Sequence, residues 1–243
     1  SIEIPDVAFL GELTPHISEL QGALTGRVRL SGSLRGPVLD GRLQTTDTRL
    51  TLDQPGITLQ GVHLKLKARP NGDIMLDLAA QSGEGQLTVK GESNLTASPR
   101  SARLGITGSD FRVMDTREAV IDVSPGLTLV MSGQHIDIDG QITVPSARIR
   151  PRKLPESSVT VSADQIIVDD DDITAAESAY QISSRVRLIL GEQVRFDGFG
   201  LKGRFTGNLL TTDRPGKPTT ASGELAIKDG SYRAYGHNLE IRT

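Results

Sequence analysis

Strict alternation of apolar and polar residues restricts the fold of this chain more than any other feature of its sequence. Arg27–Ser31, Val62–Ala68 and Asp73–Ala79 each place an apolar side chain at every second position. A period of two puts successive side chains on opposite faces of a strand, whereas a helix needs apolar residues three and four positions apart. The sequence therefore predicts an all-β fold built from half-buried strands.

Short polar segments rich in glycine separate these stretches. We predict turns at Pro70–Gly72, Ser82–Gly85 and Lys228–Gly230. Helical spacing is rare, and its best examples, at Ile17–Leu24 and Thr174–Ala179, are short. Roughly 20 segments alternate like strands, and because open sheets rarely exceed ~10 strands without curling, the sheet is expected to bend on itself.

The apolar side of these strands consists almost wholly of Leu, Ile and Val, since the chain has five Phe, three Tyr and no Trp. A large closed core usually recruits aromatic side chains for bulk. Two architectures remain open: a filled sandwich or solenoid, and a U-shaped trough whose two walls face each other across an unfilled channel. At about 4.8 Å per strand, ~20 strands in one sheet would extend on the order of 100 Å.

We expect one continuous, elongated β-sheet region over residues 1–243, with possible sub-blocks at 1–108, 109–182 and 183–243. No apolar run approaches the ~18 residues of a membrane-spanning helix, and the last residues resemble an unfinished strand. We therefore interpret the chain as a fragment of a longer protein, with any membrane anchor outside it. A formal net charge of −3 gives no general attraction to nucleic acid, so no nucleic-acid partner is predicted.

The histidines are not grouped as a catalytic or metal site would require. His16, His63, His135 and His237 are far apart in the sequence, and no histidine pair with metal-ligand spacing is present. His63 and His135 both fall on the polar phase of their strands, where solvent exposure is expected. Without cysteine, a disulfide framework and a thiolate metal site are also excluded.

Two charged segments have ordinary interpretations. Asp169–Asp172 lacks the spaced ligands and the glycine of a calcium loop, so it is predicted to be a solvated loop. Asp213–Pro218 contains a Gly-Lys pair without the spacing of a phosphate loop, and is predicted to be a turn. We predict a protein that is not an enzyme and that has no cofactor and no metal site.

The last quarter of the chain resembles the C-terminal region of the TamB family. The resemblance is sharpest at Gly198–Gly207, Ala221–Gly236 and Leu239–Arg242, and it is weaker from Gln134 to Val168. The residues that carry the family motif are Gly223, Glu224, Leu225, Asp229, Gly230, Tyr232, Ala234, Tyr235 and Gly236. We expect Tyr232 and Tyr235 either to fix the strand register by cross-strand packing or to contact a partner.

The resemblance implies a periplasmic segment of an inner-membrane-anchored protein in a Gram-negative bacterium. It also implies a curved, taco-like, mostly antiparallel sheet with an apolar concave groove, related to AsmA-like and bridge-like lipid-transfer proteins. Two roles follow for such a groove: a conduit for phospholipid toward the outer membrane, or a scaffold in the assembly of outer-membrane and autotransporter proteins with a TamA-type barrel. The family's last strands lie beyond Thr243, so the end that contacts the barrel is expected to be missing.

Sixteen strand residues are the candidate lining of this groove, because all are aliphatic and occupy the apolar phase of alternating segments. They are Val28, Leu30, Leu64, Leu66, Ile74, Leu76, Leu87, Val89, Ile136, Ile138, Ile142, Val144, Val186, Leu188, Leu225 and Ile227. The same residues would form a dry core if the sheet closed. A third hypothesis, a β-helical enzyme or adhesin acting on surface polysaccharide, is disfavoured because the chain has few aromatic residues for a sugar platform.

Overall fold

The structure, a computed structural model, describes residues 2–4, 16–33, 36–94, 96–152, 180–234 and 237–241. All regular structure in these residues is β-strand, which confirms the predicted all-β fold. The strands are β1 (Ile2–Ile4), β2 (Ile17–Ser33), β3 (Gly36–Leu52), β4 (Ile57–Ala68), β5 (Asp73–Ser82), β6 (Gly85–Asn94), β7 (Ser101–Ser109), β8 (Phe111–Asp115), β9 (Ala119–Ser132), β10 (His135–Ile149), β11 (Gln181–Gly198), β12 (Leu201–Arg214), β13 (Lys217–Ala234) and β14 (His237–Ile241).

The strands form one open sheet whose spatial order follows the chain. Each strand pairs with the next, except that β8 pairs with one half of β9 while β7 pairs with the other half. Every neighbouring pair is antiparallel apart from β10 and β11, which are parallel. The prediction of a curved, mostly antiparallel sheet is confirmed.

Several strands are longer than the alternating segments of the sequence. The described residues form 14 strands, and the longest have 18 residues. For example, the alternating stretch His135–Asp139 and the following stretch Asp139–Val144 are both parts of β10. Hydrogen bonding to neighbouring strands on both sides keeps the backbone extended where the alternation of the sequence breaks. Ser158–Ser162, another stretch in which apolar and polar residues alternate, lies outside the described residues.

The helical candidate at Ile17–Leu24 was wrong, because these residues form the first half of β2. Ile17 lies opposite Leu52 and Leu24 lies opposite Thr45, so β3 satisfies their backbone in a sheet ladder. The other candidate, Thr174–Ala179, lies outside the residues that the structure describes.

Bulges at matching positions in neighbouring strands bend the sheet. The register shifts at Ser18–Ala23 in β2, at Gln44–Leu50 in β3 and at Gln60–His63 in β4. Glu19 and Asp47 sit in these shifts with positive φ values of 52° and 49°. An extra residue bends its strand and increases the local twist, so adjacent bulges produce one common bend. We call this line of bulges the first crease.

A second crease crosses the other half of the sheet. The register shifts between Thr143 and Ser146 in β10, and between Leu190 and Arg195 in the adjoining β11. Nearby, Asp110 has a φ of 48° and separates β7 from β8. Beyond Asp110 the chain no longer pairs with β6. Instead, β8 passes over the β3–β4 turn and the β5–β6 hairpin.

β8 ties the two halves of the sheet together. The Asp115 amide donates to the carbonyl oxygen of Pro55, in the turn between β3 and β4, at 2.8 Å. The ring of Phe111 packs against Val62 and Ala80 in a buried apolar cluster. These contacts join strands that are not hydrogen-bonded neighbours, so the sheet folds toward its apolar side here.

An ion-pair network on the polar face of the sheet joins β8, β9 and β10 at the second crease. Arg112 Nε donates to Asp122 Oδ1 at 2.8 Å, and its Nη2 donates to Asp122 Oδ2 at 3.3 Å. Arg112 Nη1 also donates to Asp115 at 3.1 Å, while Ser146 Oγ donates to Asp122 at 3.1 Å. The hydrogen bond to Asp122 is the main reason that the pKa of Arg112 lies above its ordinary value.

We expect Arg112→Gln to lower the free energy of unfolding by about 2 kcal/mol, because it leaves the Asp122 carboxylate, only 15% exposed, without its cation. Urea unfolding of this variant, of Asp122→Asn and of the double variant would give the coupling energy. The matched control is Arg185→Gln, whose exposed pair with Asp139 should contribute less than about 1 kcal/mol. Equal losses in the two single arginine variants would contradict a role for the network.

Candidate functional site: the apolar face of the sheet

The strand registers assign every paired residue to one of two faces, because residues directly opposite each other project to the same side. Leu66 lies opposite Leu43 and Leu76, and Ile138 lies opposite Leu129. These positions belong to one row that crosses nine strands. The row consists of Gly26, Leu43, Leu66, Leu76, Gly91, Leu104, Leu129, Ile138 and Ser184.

The same rule places all sixteen candidate groove residues on one face, which we call the apolar face. They are Val28, Leu30, Leu64, Leu66, Ile74, Leu76, Leu87, Val89, Ile136, Ile138, Ile142, Val144, Val186, Leu188, Leu225 and Ile227. At a bulge the apolar positions change between odd and even numbers, as from Leu43 to Leu50 in β3, because the bulge adds a residue to that strand.

Charge is almost absent from the apolar face. Outside the bulges, the described strands place one Asp, Glu, Lys or Arg there: Asp213, at the end of β12 and opposite Ser184. Burying an unpaired charge in apolar surroundings costs several kcal/mol, so a charge across the middle would interrupt any apolar path. From β2 to β14 the described part of this face has no such interruption.

Few of these side chains are fully shielded from water. Of the sixteen, Val144 is buried, Leu30 and Leu225 are 72% and 48% exposed, and the others are half-buried. In the described ranges no side chain falls below 2% exposure. Among the described residues, the apolar face is therefore a surface whose side chains are partly buried against one another, with no second layer packed over them.

Two small buried clusters mark the places where the sheet bends most. One joins Phe111 to Val62 and Ala80, and the other contains Val144, Ala147 and Val194 beside the bulges of β10 and β11. Partly buried neighbours complete them; these are Leu50, Leu59, Leu87, Val113, Ile121, Val123, Ile149, Leu188, Leu190 and Phe205.

Several residues of the apolar face were missed by the sequence analysis. They include Leu43, Leu78, Leu104, Ile106, Leu127, Leu129, Leu190 and Leu209. The alternation within β7 carried the same signal as the segments that were chosen. In β11 and β12 the bulges and glycines break the alternation, which hides Leu190 and Leu209.

The opposite face, which we call the polar face, is mainly polar, although Met75, Val130, Ile189 and Leu210 also lie on it. His63 and His135 lie on it and are exposed, as predicted. In the described residues no group of three or more His, Asp or Glu side chains is placed to hold a metal ion. Asp213–Pro218 forms the predicted turn between β12 and β13, whereas Asp169–Asp172 lies outside the described residues.

Comparison with known proteins assigns this sheet to a family. A sequence model of the TamB C-terminal domain matches residues 77–243. The chain belongs to the TamB family. The translocation and assembly module subunit TamB of Haemophilus influenzae is 22% identical over 254 aligned residues, which include the whole of this chain. The chain spans 19% of the length of that relative, and no solved structure matches it at a significant level.

The TamB motif lies mainly in β13. Leu225 faces Gly207 across the ladder and Gly223 faces Leu209, so each glycine is covered by a leucine on the apolar face. A Cβ at Gly223 would come within 2.2 Å of the Asn208 carbonyl oxygen, so only glycine fits. Glu224 projects to the polar face.

The predicted turn at Lys228–Gly230 was wrong, because this part of the motif is a bulge inside β13. The register shifts between Lys228 and Ser231, and Asp229 takes a positive φ of 50° with its carboxylate paired to Arg204. An Asp in the left-handed region followed by Gly absorbs one extra residue without ending the strand.

Tyr232 lies on the apolar face, opposite Leu201 on one side and Leu239 on the other. It is therefore placed for cross-strand packing, and it is 40% exposed. Ala234 pairs with His237 in β14, while Tyr235 and Gly236 lie outside the described residues.

The described residues include no helix long and apolar enough to cross a membrane.

Proposed function

We propose that the apolar face is a bridge-like conduit that shields phospholipid acyl chains across the periplasm toward the outer membrane. The observation that carries the proposal is the apolar strip from β2 to β14, which the described strands leave free of charge except for Asp213 at its margin. Acyl chains on such a strip would leave water while the headgroup stays at the open side.

Because the apolar strip is similar along its length, it would allow a bound lipid to move as well as to bind. Each methylene removed from water contributes about 0.8 kcal/mol, and this gain changes little when one aliphatic row replaces the next. A lipid would therefore meet no deep trap between β3 and β10, where Leu, Ile and Gly fill the row. Transfer of this kind requires no catalytic step, and the absence of enzymatic activity stays a prediction.

A second candidate function is supported by the end of the sheet at β13 and β14. Leu225, Tyr232 and Leu239 lie there on the apolar face and are 48%, 40% and 61% exposed. Exposed apolar side chains beside a sheet edge suit docking of an added strand or a partner. This surface supports a scaffold role in assembling outer-membrane and autotransporter proteins with a TamA-type barrel.

In either role the chain would lie in the periplasm of a Gram-negative bacterium, as part of an inner-membrane-anchored protein.

The conduit is tested by mass spectrometry of lipid extracted from the purified chain. We expect the native chain to retain phospholipid and the Leu66→Arg, Ile138→Arg variant to retain at least about tenfold less, because both arginines enter one apolar row. The matched control, Thr107→Arg with Gln141→Arg, adds the same charge to exposed positions of the polar face and should keep its lipid.

Circular dichroism of all three proteins checks that the sheet is retained. Phospholipid on the native chain and the control, but not on the groove variant, supports the conduit. If the native chain carries no lipid, the conduit hypothesis fails and the scaffold hypothesis becomes the better one.

A further inference from the structure

We propose that the polar face carries a second binding site, for a soluble molecule with two or more phosphate groups. Its centre is a row of three exposed cations, Arg27, Arg42 and Lys67, directly opposite one another on β2, β3 and β4. Adjacent strands are about 4.8 Å apart, so the row is roughly 10 Å long. The site is on the face opposite the proposed conduit and does not depend on it.

These three cations lack counter-charges that other cations of the same face possess. None of them forms an ion pair with a described residue. By contrast, Arg185 pairs with Asp139 at 2.9 Å and Lys202 pairs with Asp197 at 3.1 Å.

Neighbouring residues extend the positive region without neutralising it. Around the row, Asp77 lies between Lys65 and Lys90, Glu92 lies opposite Arg103, and Asp40 lies opposite Arg29. The patch therefore has seven cationic side chains and three carboxylates, a net charge of +4 in a chain whose formal net charge is −3. Like charges directly opposite each other destabilise a sheet, and a bound polyanion would remove that repulsion.

The shape of the patch favours a discrete molecule. An open groove of about 600 Å³ is lined by Arg42, Lys65, Lys67, Lys90 and Arg103, together with Asp77, Glu92 and apolar residues such as Met75. An adjoining cavity of about 340 Å³ is lined by Arg27 and Arg29 and shares Arg42 and Lys67 with the first. Grooves of this size can accept a small phosphate compound whose charges reach several of these side chains at once. Arg27 and Arg42 lie opposite each other on β2 and β3, and each guanidinium can bind phosphate oxygens in the bidentate geometry that they prefer.

The test is calorimetric titration of the chain with inorganic tripolyphosphate at low ionic strength. We expect binding that weakens as salt rises, and that weakens at least about tenfold in the variant Arg27→Gln, Arg42→Gln, Lys67→Gln. The control variant, Arg185→Gln, Arg187→Gln, Lys202→Gln, changes the net charge equally on the same face and should bind within about twofold of the native chain. The single variant Arg42→Gln, which removes the middle of the row, should lose at least about threefold and guards against misfolding of the triple variant.

Four outcomes would overturn the proposal. They are no binding of tripolyphosphate, equal weakening in the patch and control variants, orthophosphate binding as tightly as tripolyphosphate, and binding to phosphatidylglycerol vesicles without binding to tripolyphosphate. The last result would assign the patch to a membrane surface. An unliganded melting temperature that is maintained or raised by about 2–4 °C in the patch variant would support the repulsion on which the argument rests.

Discussion

Replacing Phe111 with Ala should lower the free energy of unfolding by about 4 kcal/mol. Phe111 is 6% exposed, and it joins β8 to β4 and β5 through Val62 and Ala80. Loss of the ring leaves a cavity where β8 crosses the hairpin ends, and the surrounding strands are held too firmly by their ladders to fill it. Thermal unfolding followed by circular dichroism should show a fall in Tm of roughly 10 °C.

Phe111→Leu is the matched control, because it keeps most of the apolar volume and should cost only about 1.5 kcal/mol. A loss below about 1 kcal/mol for Phe111→Ala would mean that the cluster does not hold the two halves of the sheet together.

Replacing Gly85 with Ala should destabilise the chain by about 3 kcal/mol. A Cβ at this position would lie 2.1 Å from the carbonyl carbon and oxygen of Asp110 and 2.4 Å from the Phe111 amide nitrogen. These are backbone atoms, so relief requires the corner between β7 and β8 to move away from the β5–β6 hairpin. Urea unfolding would measure the loss.

Gly105→Ala provides the control for this substitution. Its Cβ would meet only the Lys90 carbonyl oxygen, at 3.9 Å, and Ala is favoured over Gly within a strand by up to about 1 kcal/mol. Stability should therefore be kept or raised. Equal destabilisation by the two alanines would contradict the proposed close approach of β8.

Alternation grouped the candidate residues on one face because, between bulges, the face that a strand residue occupies depends only on whether its number is odd or even. Leu66 and Ile138 are 72 positions apart in the sequence, yet each contributes to one row once the ladders between them are in register. The sequence also predicted the hairpin at Asp213–Pro218, where Pro and Gly dictate the local backbone.

The bulges were not predictable, and they explain the two local errors. At Ile17–Leu24 the extra residues around Glu19 change the apolar spacing from two to three and four, which imitates a helix. At Lys228–Gly230 an Asp-Gly pair has the chemistry of a tight turn, but pairing with β12 and β14 keeps the chain extended. In both cases the neighbouring strands determine the outcome.

Long-range features could not be predicted from the sequence either, because they too depend on which strands become neighbours. The parallel pairing of β10 with β11 and the packing of Phe111 depend on contacts between distant segments. Arg27, Arg42 and Lys67 each look like ordinary solvated residues on the polar phase of a strand. Only the register places the three side by side.

The order of strands in the sheet also determines how the molecule can be built. Apart from the detour at β8, each strand's new partner is the one synthesised just before it, so most pairings require only a short loop to close. The exception is the pairing of β10, which ends at Ile149, with β11, which begins at Gln181. The sheet can therefore grow by one strand at a time from either end, as repeat proteins do, with each addition stabilised mainly by the strand already in place. A sheet with this strand order can in this way lengthen without reorganising what has already folded.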